Sequence, residues 1–299
     1  MPSVSKFSIK NQTKSISLPC RSHPTTYEIE ELLNKIKTEA TSPTMYSGLS
    51  HLTRLYKCMN NLLTSSTTQV LMSHEQKKKW VDELVDESVK FLDICRSISD
   101  MILEFKDHSR DLYSCLRRKK GDMISVSIMK YNCFRKKMKK DVRGLISSLK
   151  QVDNMITSGD GGLVVIDSDN HQLAAMIRAV IGVGEVTILV LESLLMFFCV
   201  PVSKPNKWSL VVSKLTHKGM VTYEDQHEHR MLVNECEQFD DALRILCKNG
   251  STCEVGNVEI AQCRLERLEA EIETMESGLE SLFRHLVQTR VSLLNIISQ

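Results

Sequence analysis

The sequence predicts an all-α protein, an elongated bundle of long antiparallel helices behind a disordered, basic N-terminal tail. Three observations carry this. The 299 residues include only 6 prolines and 12 glycines, so few positions break a helix. Aromatic residues make up 5% of the chain while Leu, Met and Ile are abundant, which favours helix packing over sheet faces. Above all, apolar residues recur in alternating steps of three and four over long stretches, and no period-two alternation is long enough for a sheet. The hydrophobic content of 42% supports a sizeable core. Residues 1–26 read as the flexible basic tail and 27–299 as one helical-bundle domain, with 157–168 the best place for an internal boundary.

Taken in order, Tyr27 to Ala40 reads as a short helix capped by Thr25 or Thr26, with Ile29, Leu32, Leu33 and Ile36 on its apolar face. Thr41-Ser42-Pro43 ends it. A second helix starts near Gly48 and carries Leu49, Leu52, Leu55, Met59 and Leu62 on one side. The Ser/Thr-rich stretch from Thr64 to Thr68 reads as a loop. Ser73-His74-Glu75-Gln76 has the form of a capping box. From there a heptad seam runs through Val81, Leu84, Ser88, Phe91, Cys95, Ile98, Ile102, Phe105, Ser109, Leu112 and Leu116. It covers about 35 residues, roughly 50 Å of helix at 1.5 Å per residue.

The next helix, Asp122 to Ile156, has its seam at Ile124, Ile128, Tyr131, Phe134, Met138, Val142, Leu145, Leu149, Val152 and Ile156. The short basic turn between these two helices predicts an antiparallel hairpin. Ser158-Gly159-Asp160-Gly161-Gly162 stops the second, and Leu163 to Ile166 is at most a lone extended piece. Leu173 to Val200 is a strongly apolar helix. Glu224 to Cys247 follows, with Met231, Leu232, Phe239, Leu243 and Leu246 inward, and Asn249 through Gly256 breaks it. The last helix, Val258 to Ile297, keeps a heptad from Ala261 through Leu265, Leu268, Ile272, Met275, Leu279, Leu282, Leu286, Thr289 and Leu293 to Ile296.

The net charge of +2 hides a split. Arg117 to Lys150 holds twelve bases and two acids, whereas Glu224 to Glu276 holds fourteen acids and five bases. The cationic cluster comprises Arg117, Arg118, Lys119, Lys120, Arg135, Lys136, Lys137, Lys139, Lys140 and Arg143. Its plain reading is a solvated helix face balanced within the molecule by the Glu266–Glu276 run. Its functional readings are an anionic membrane surface, a protein partner, or nuclear import and nucleic acid. No DNA-binding motif or stacking aromatic platform supports nucleic acid, which is therefore disfavoured.

Ala179 to Val200 has the length of a membrane span, but Arg178, Glu185 and Glu192 recur every seven residues and make a polar stripe. A bundle helix buried over most of its circumference accounts for both features, so no transmembrane span is expected. The ten cysteines are scattered, without CxxC, and no signal-peptide core precedes them. Free, mostly buried thiols in a reducing compartment follow. His217, His227, His229 and Cys236 have poor spacing for zinc. Gly159, Gly161 and Gly162 lack the Lys-Ser/Thr of a phosphate loop. The expectation is no metal, no cofactor and no catalytic residue. The leucine heptad from Leu265 to Leu286 is core or a self-association seam.

Four stretches resemble a known family. SLPCRSHP at Ser17–Pro24 resembles the SLPxRxHP signature of the plant BYPASS-related family. ELVDESVKFLDICRSISDMILEFKDHSRDLYSCLRRKKGD at Glu83–Asp122 is similar to its central block, YNCFRKKMKKDVRGLISSLK at Tyr131–Lys150 to its basic helix, and LFRHLVQTRVSLLNIIS at Leu282–Ser298 to its C-terminal end. Cys20 departs from the family's more usual small hydroxyl residue. The resemblance implies a plant protein tied to root and shoot development, with no catalytic motif to carry over.

It also bears on the tail. Lys6, Lys10, Lys14 and Arg21 precede the first carboxylate, Glu28, which is transit-peptide composition. A family-wide word directly before the first helix argues instead for a retained docking segment made by Leu18, Pro19, Arg21, His23 and Pro24. The resulting expectation is a helical interaction protein, cytoplasmic or membrane-peripheral, with nucleus and plastid as alternatives. A small-metabolite enzyme with a pocket between helices is the rival class.

Overall fold

The computed structural model describes residues 24–39, 45–72, 75–118, 121–158, 171–199, 234–248 and 255–298. Among them are eight helices and no strand. These are α1 (Pro24–Glu39), α2 (Met45–Thr64), α3 (Ser66–Met72), α4 (Glu75–Arg118), α5 (Gly121–Ser158), α6 (His171–Cys199), α7 (Glu235–Lys248) and α8 (Val255–Ile297). The fold is all-α and elongated: α4, at 44 residues, extends about 66 Å.

Helix α8 runs against α4, α2 and α7, while α6 lies against α5, α2 and α1. Helices α4 and α5 form the expected hairpin, and the pairs Glu104–Lys137 and Cys115–Ser127 give its antiparallel register. Every heptad position expected in α4 is buried, from Val81 through Ser109 to Leu116. So is every one in α8, from Ala261 to Ile296. In α5 the seam is buried except Leu145 and Ile156, which are partly covered. A strict three–four repeat keeps one stripe facing its partners over the whole length. The buried apolar residues form one connected cluster from Ile29 to Ile296. The Leu265 to Leu286 seam is part of it and faces α4 and α2 of the same chain.

Several boundaries differ from expectation, each for a local reason. Helix α1 starts at Pro24, not Tyr27. Proline is preset for a first helical turn and has no N–H to lose there. Thr26, expected as a cap, lies inside that turn, buried, with Oγ1 unpartnered. Helix α2 opens at Met45, so Gly48 is inside it. Only Ser65 interrupts the stretch read as a loop. Its Oγ accepts from the Thr68 N–H at 3.3 Å and caps α3. Helix α7 begins at Glu235 because Asn234 Oδ1 accepts from the Glu237 N–H at 2.8 Å. Asn234 Nδ2 also donates to the Phe197 carbonyl at 3.0 Å, tying this cap to the end of α6. Gly256, read as a breaker, lies in the first turn of α8.

The capping box at Ser73 and His74, the piece at Leu163–Ile166, and Met231 and Leu232 fall outside the described residues. The eight described cysteines are free thiols. Cys58, Cys95 and Cys236 are buried, but Cys133, Cys247 and Cys263 are exposed, so burial is less general than expected.

Candidate interaction surface on the basic helix

The ten clustered cations do not form one surface. Arg135 is a core residue, only 5% exposed. Residues of α5 that follow the seam position Phe134 at its inner edge turn toward α7, and Arg135 finds Asp240 there. Its Nη2 donates to Asp240 Oδ2 at 3.0 Å, and Nε reaches both carboxylate oxygens at 3.3 Å. Tyr131 Oη donates to Asp240 Oδ1 at 3.2 Å. The guanidinium carbon stands 5.9 Å from the Phe105 ring centroid. Burial alone would disfavour the Arg135 cation, but the Asp240 carboxylate paired with it holds the charge on. An aromatic cluster surrounds the pair: Tyr131 meets Phe239 edge-on at 5.4 Å, and Phe105 lies 6.0 Å from both Phe134 and Phe198. Arg135 is a structural joint between α5 and α7.

Lys137 is exposed but paired, donating to Glu104 at 2.8 Å, and that hydrogen bond raises its pKa. Lys139 is half-buried near the end of α6, where its carbonyl accepts from the Cys199 thiol. Arg117, Arg118, Lys136, Lys140 and Arg143 remain exposed. Lys119 and Lys120 lie outside the described residues. The acidic run expected to balance this helix faces elsewhere. Glu276 accepts from Lys106 and Glu266 from the Tyr113 hydroxyl, both on α4.

Three apolar residues missed by the sequence reading join the exposed cations. Met123, Val126 and Met129 are 52%, 48% and 62% exposed. They recur every third residue at the start of α5, away from the seam, and with Lys130 and Cys133 they lead into Lys136, Lys140 and Arg143. Asp141 is the one exposed carboxylate on α5 between Met123 and Arg143. The outer side of α5 is thus apolar near the hairpin turn and cationic further along. Such a surface suits an anionic partner that can also accept shallow apolar side chains.

The remaining candidates are placed as follows. Leu18, Pro19, Arg21 and His23 lie outside the described residues, and Pro24 is the first residue of α1. His217, His227 and His229 are also outside, and Cys236 is buried beside Arg135. Among the described residues no cluster of three or more His, Cys, Asp or Glu side chains has metal-binding geometry. Helix α6 is long and apolar enough to cross a membrane, with mean hydropathy 2.0 over its best window. In the bundle it is buried by α5, α2 and α1, and Arg178, Glu185 and Glu192 keep to its less covered side.

Fold and surface together define an elongated all-α bundle with a basic, partly apolar outer helix. The family model described as Protein BPS1 matches residues 48–296, and the chain belongs to that family. The blocks at Glu83–Asp122 and Tyr131–Lys150 lie within the match, whereas Ser17–Pro24 precedes it. Membership suggests a plant protein of developmental regulation. No curated protein and no solved structure matches the chain.

Proposed function

We propose that this is a non-enzymatic interaction protein of root and shoot development, which binds a protein partner while held at an anionic membrane surface by the outer side of α5. One observation carries the reading: Lys136, Lys140 and Arg143 are exposed on the same acid-poor side of α5 as the exposed Met123, Val126 and Met129, and Arg117 and Arg118 are exposed at the end of α4. Cations draw the helix to anionic headgroups, and methionine and valine side chains enter the interface. On this reading the protein works in the cytoplasm or at the membrane periphery. A nucleic-acid role is less well supported, because the exposed apolar residues here are aliphatic and give bases nothing to stack on.

The test is sedimentation with vesicles of phosphatidylserine and phosphatidylcholine against phosphatidylcholine alone. At about 1 kcal/mol per cation, changing Lys136, Lys140 and Arg143 to Gln should weaken binding to the anionic vesicles roughly 100-fold without loss of helicity. Wild-type binding should also fall with salt. Equal, salt-insensitive binding by both proteins would sink the membrane reading.

A further inference from the structure

Helix α4 lies between α8 and α5, and α5 lies between α4 and α6, so the outer sides of α4 and α5 adjoin along one wall of the bundle. That wall is divided by charge. Asp93, Asp100 and Asp107 stand exposed on α4 at seven-residue spacing, and Asp82 and Asp86 continue the stripe toward the start of the helix. Lys136, Arg143 and Lys150 stand exposed on α5 at the same spacing. Seven residues are close to two helical turns, so each set keeps to one side of its helix. Arg96 and Arg110 interrupt the acidic stripe without matching its five carboxylates. Among the described residues Asp93, Asp100, Lys136, Arg143 and Lys150 have no ion-pair partner. Asp107 meets Arg110 at 3.8 Å, with both side chains exposed.

The hairpin sets how the two ladders stand. Glu104 pairs with Lys137, His108 stacks on Phe134 at 4.4 Å and Ser127 meets Cys115, so each step up α4 is a step down α5. Counted along that register, Asp107, Asp100 and Asp93 fall level, to within a residue, with Lys136, Arg143 and Lys150. Within one chain they point outward side by side and do not pair. We propose that this face binds a second copy of the chain, related by a two-fold axis that runs along the hairpin between the two copies. That operation lays α4 of one copy over α5 of the other and shifts nothing along the axis. The internal register therefore becomes the register across the interface, and each aspartate meets the cation that already stands level with it. Symmetry gives every pair twice. A two-fold axis across the helices would instead lay α4 on α4 and set like charges together. From Asp82 to Asp107 the face is about 38 Å long and, with helices about 10 Å apart, about 20 Å wide, so it offers about 760 Å² per copy, close to the roughly 800 Å² of a standard interface. Because the face includes Lys136, Lys140 and Arg143, a second copy and an anionic membrane compete for it. The pairing itself does not rest on the membrane reading.

Sedimentation velocity of the full chain, without lipid, is the test. The wild type should dimerise at about 50 mM salt, and its dissociation constant should rise about 10-fold or more by about 500 mM, because the pairs are solvent-exposed and screened. Changing Asp93, Asp100 and Asp107 together to Lys makes the whole face cationic and should weaken self-association about 100-fold or more. Changing Lys136, Arg143 and Lys150 together to Glu makes it anionic and should do the same. Mixed in equal amounts, the two variants should form a heterodimer of near wild-type affinity, since half of its pairs are native and the other half are reversed but still opposite in sign. All six positions are exposed, so helicity should be unchanged in both variants, which circular dichroism checks. The aspartate variant keeps every α5 cation, so the loss of its dimer is distinct from any loss of vesicle binding. Four results would each overturn the proposal: a wild type that stays monomeric at about 100 µM in low salt, association that ignores salt, undiminished self-association of either folded variant, or no heterodimer when the two folded variants are mixed.

Discussion

Removing Asp240 tests most sharply how the structure divides the basic helix. Arg135 and Asp240 form an ion pair at 3.0 Å with side chains 6% and 19% exposed. Asp240→Ala would leave a guanidinium buried against Phe105 and Met138 with no counter-charge. Breaking a buried pair from one side costs about 3–5 kcal/mol. The Tyr131 hydroxyl would lose its acceptor as well, adding about 1 kcal/mol unless water enters. Asp240→Asn should fall between wild type and alanine, since it keeps an acceptor for Tyr131 but not the charge. Replacing both partners, as Arg135→Met with Asp240→Leu, should recover most of the loss, because no buried charge then remains. Urea unfolding followed by helicity gives the free energies, and measuring Arg135→Met and Asp240→Leu singly completes the cycle that isolates the pair. A cost below about 1 kcal/mol for Asp240→Ala would refute the placement of Arg135 in the core.

Two glycine substitutions should act in opposite directions. Gly144→Ala, on exposed α5 with nothing within 4 Å, should stabilise by about 1 kcal/mol through helix propensity. Gly278→Ala puts a methyl group 2.9 Å from Leu49 Cδ1 and 3.0 Å from its Cβ, and should cost about 1–3 kcal/mol by forcing α8 off α2. Thermal melts of both variants decide this, and stabilisation by Gly278→Ala would contradict the close approach. On α4, Ile98→Asp should abolish cooperative unfolding because Ile98 is fully buried, while Leu103→Asp, at a position 51% exposed, should change stability by only about 0.5 kcal/mol. Equal melts for the two would mean that the heptad seam is not the core.

The long elements were legible in the chain because their information is local. A stripe repeating at three and four residues specifies a helix and its inward side, so the seams from Val81 to Leu116 and Ala261 to Ile296 were readable residue by residue. Helix ends were less so. Ser65 and Asn234 are polar residues in polar surroundings until one sees which N–H each caps. The Ser/Thr run therefore looked like a loop, and α7 looked longer than it is.

What tertiary structure alone decided is which charges face water. Sequence lists Arg135 and Lys136 as equal members of a basic run, yet one step along a helix turns a side chain by about 100°. That turn carries Arg135 to Asp240, 105 residues away, and leaves Lys136 in solvent. Periodicity fixes a residue's angle on its own helix. The chemistry of a charged group depends on what other helices bring to that angle, and those partners are distant in the chain.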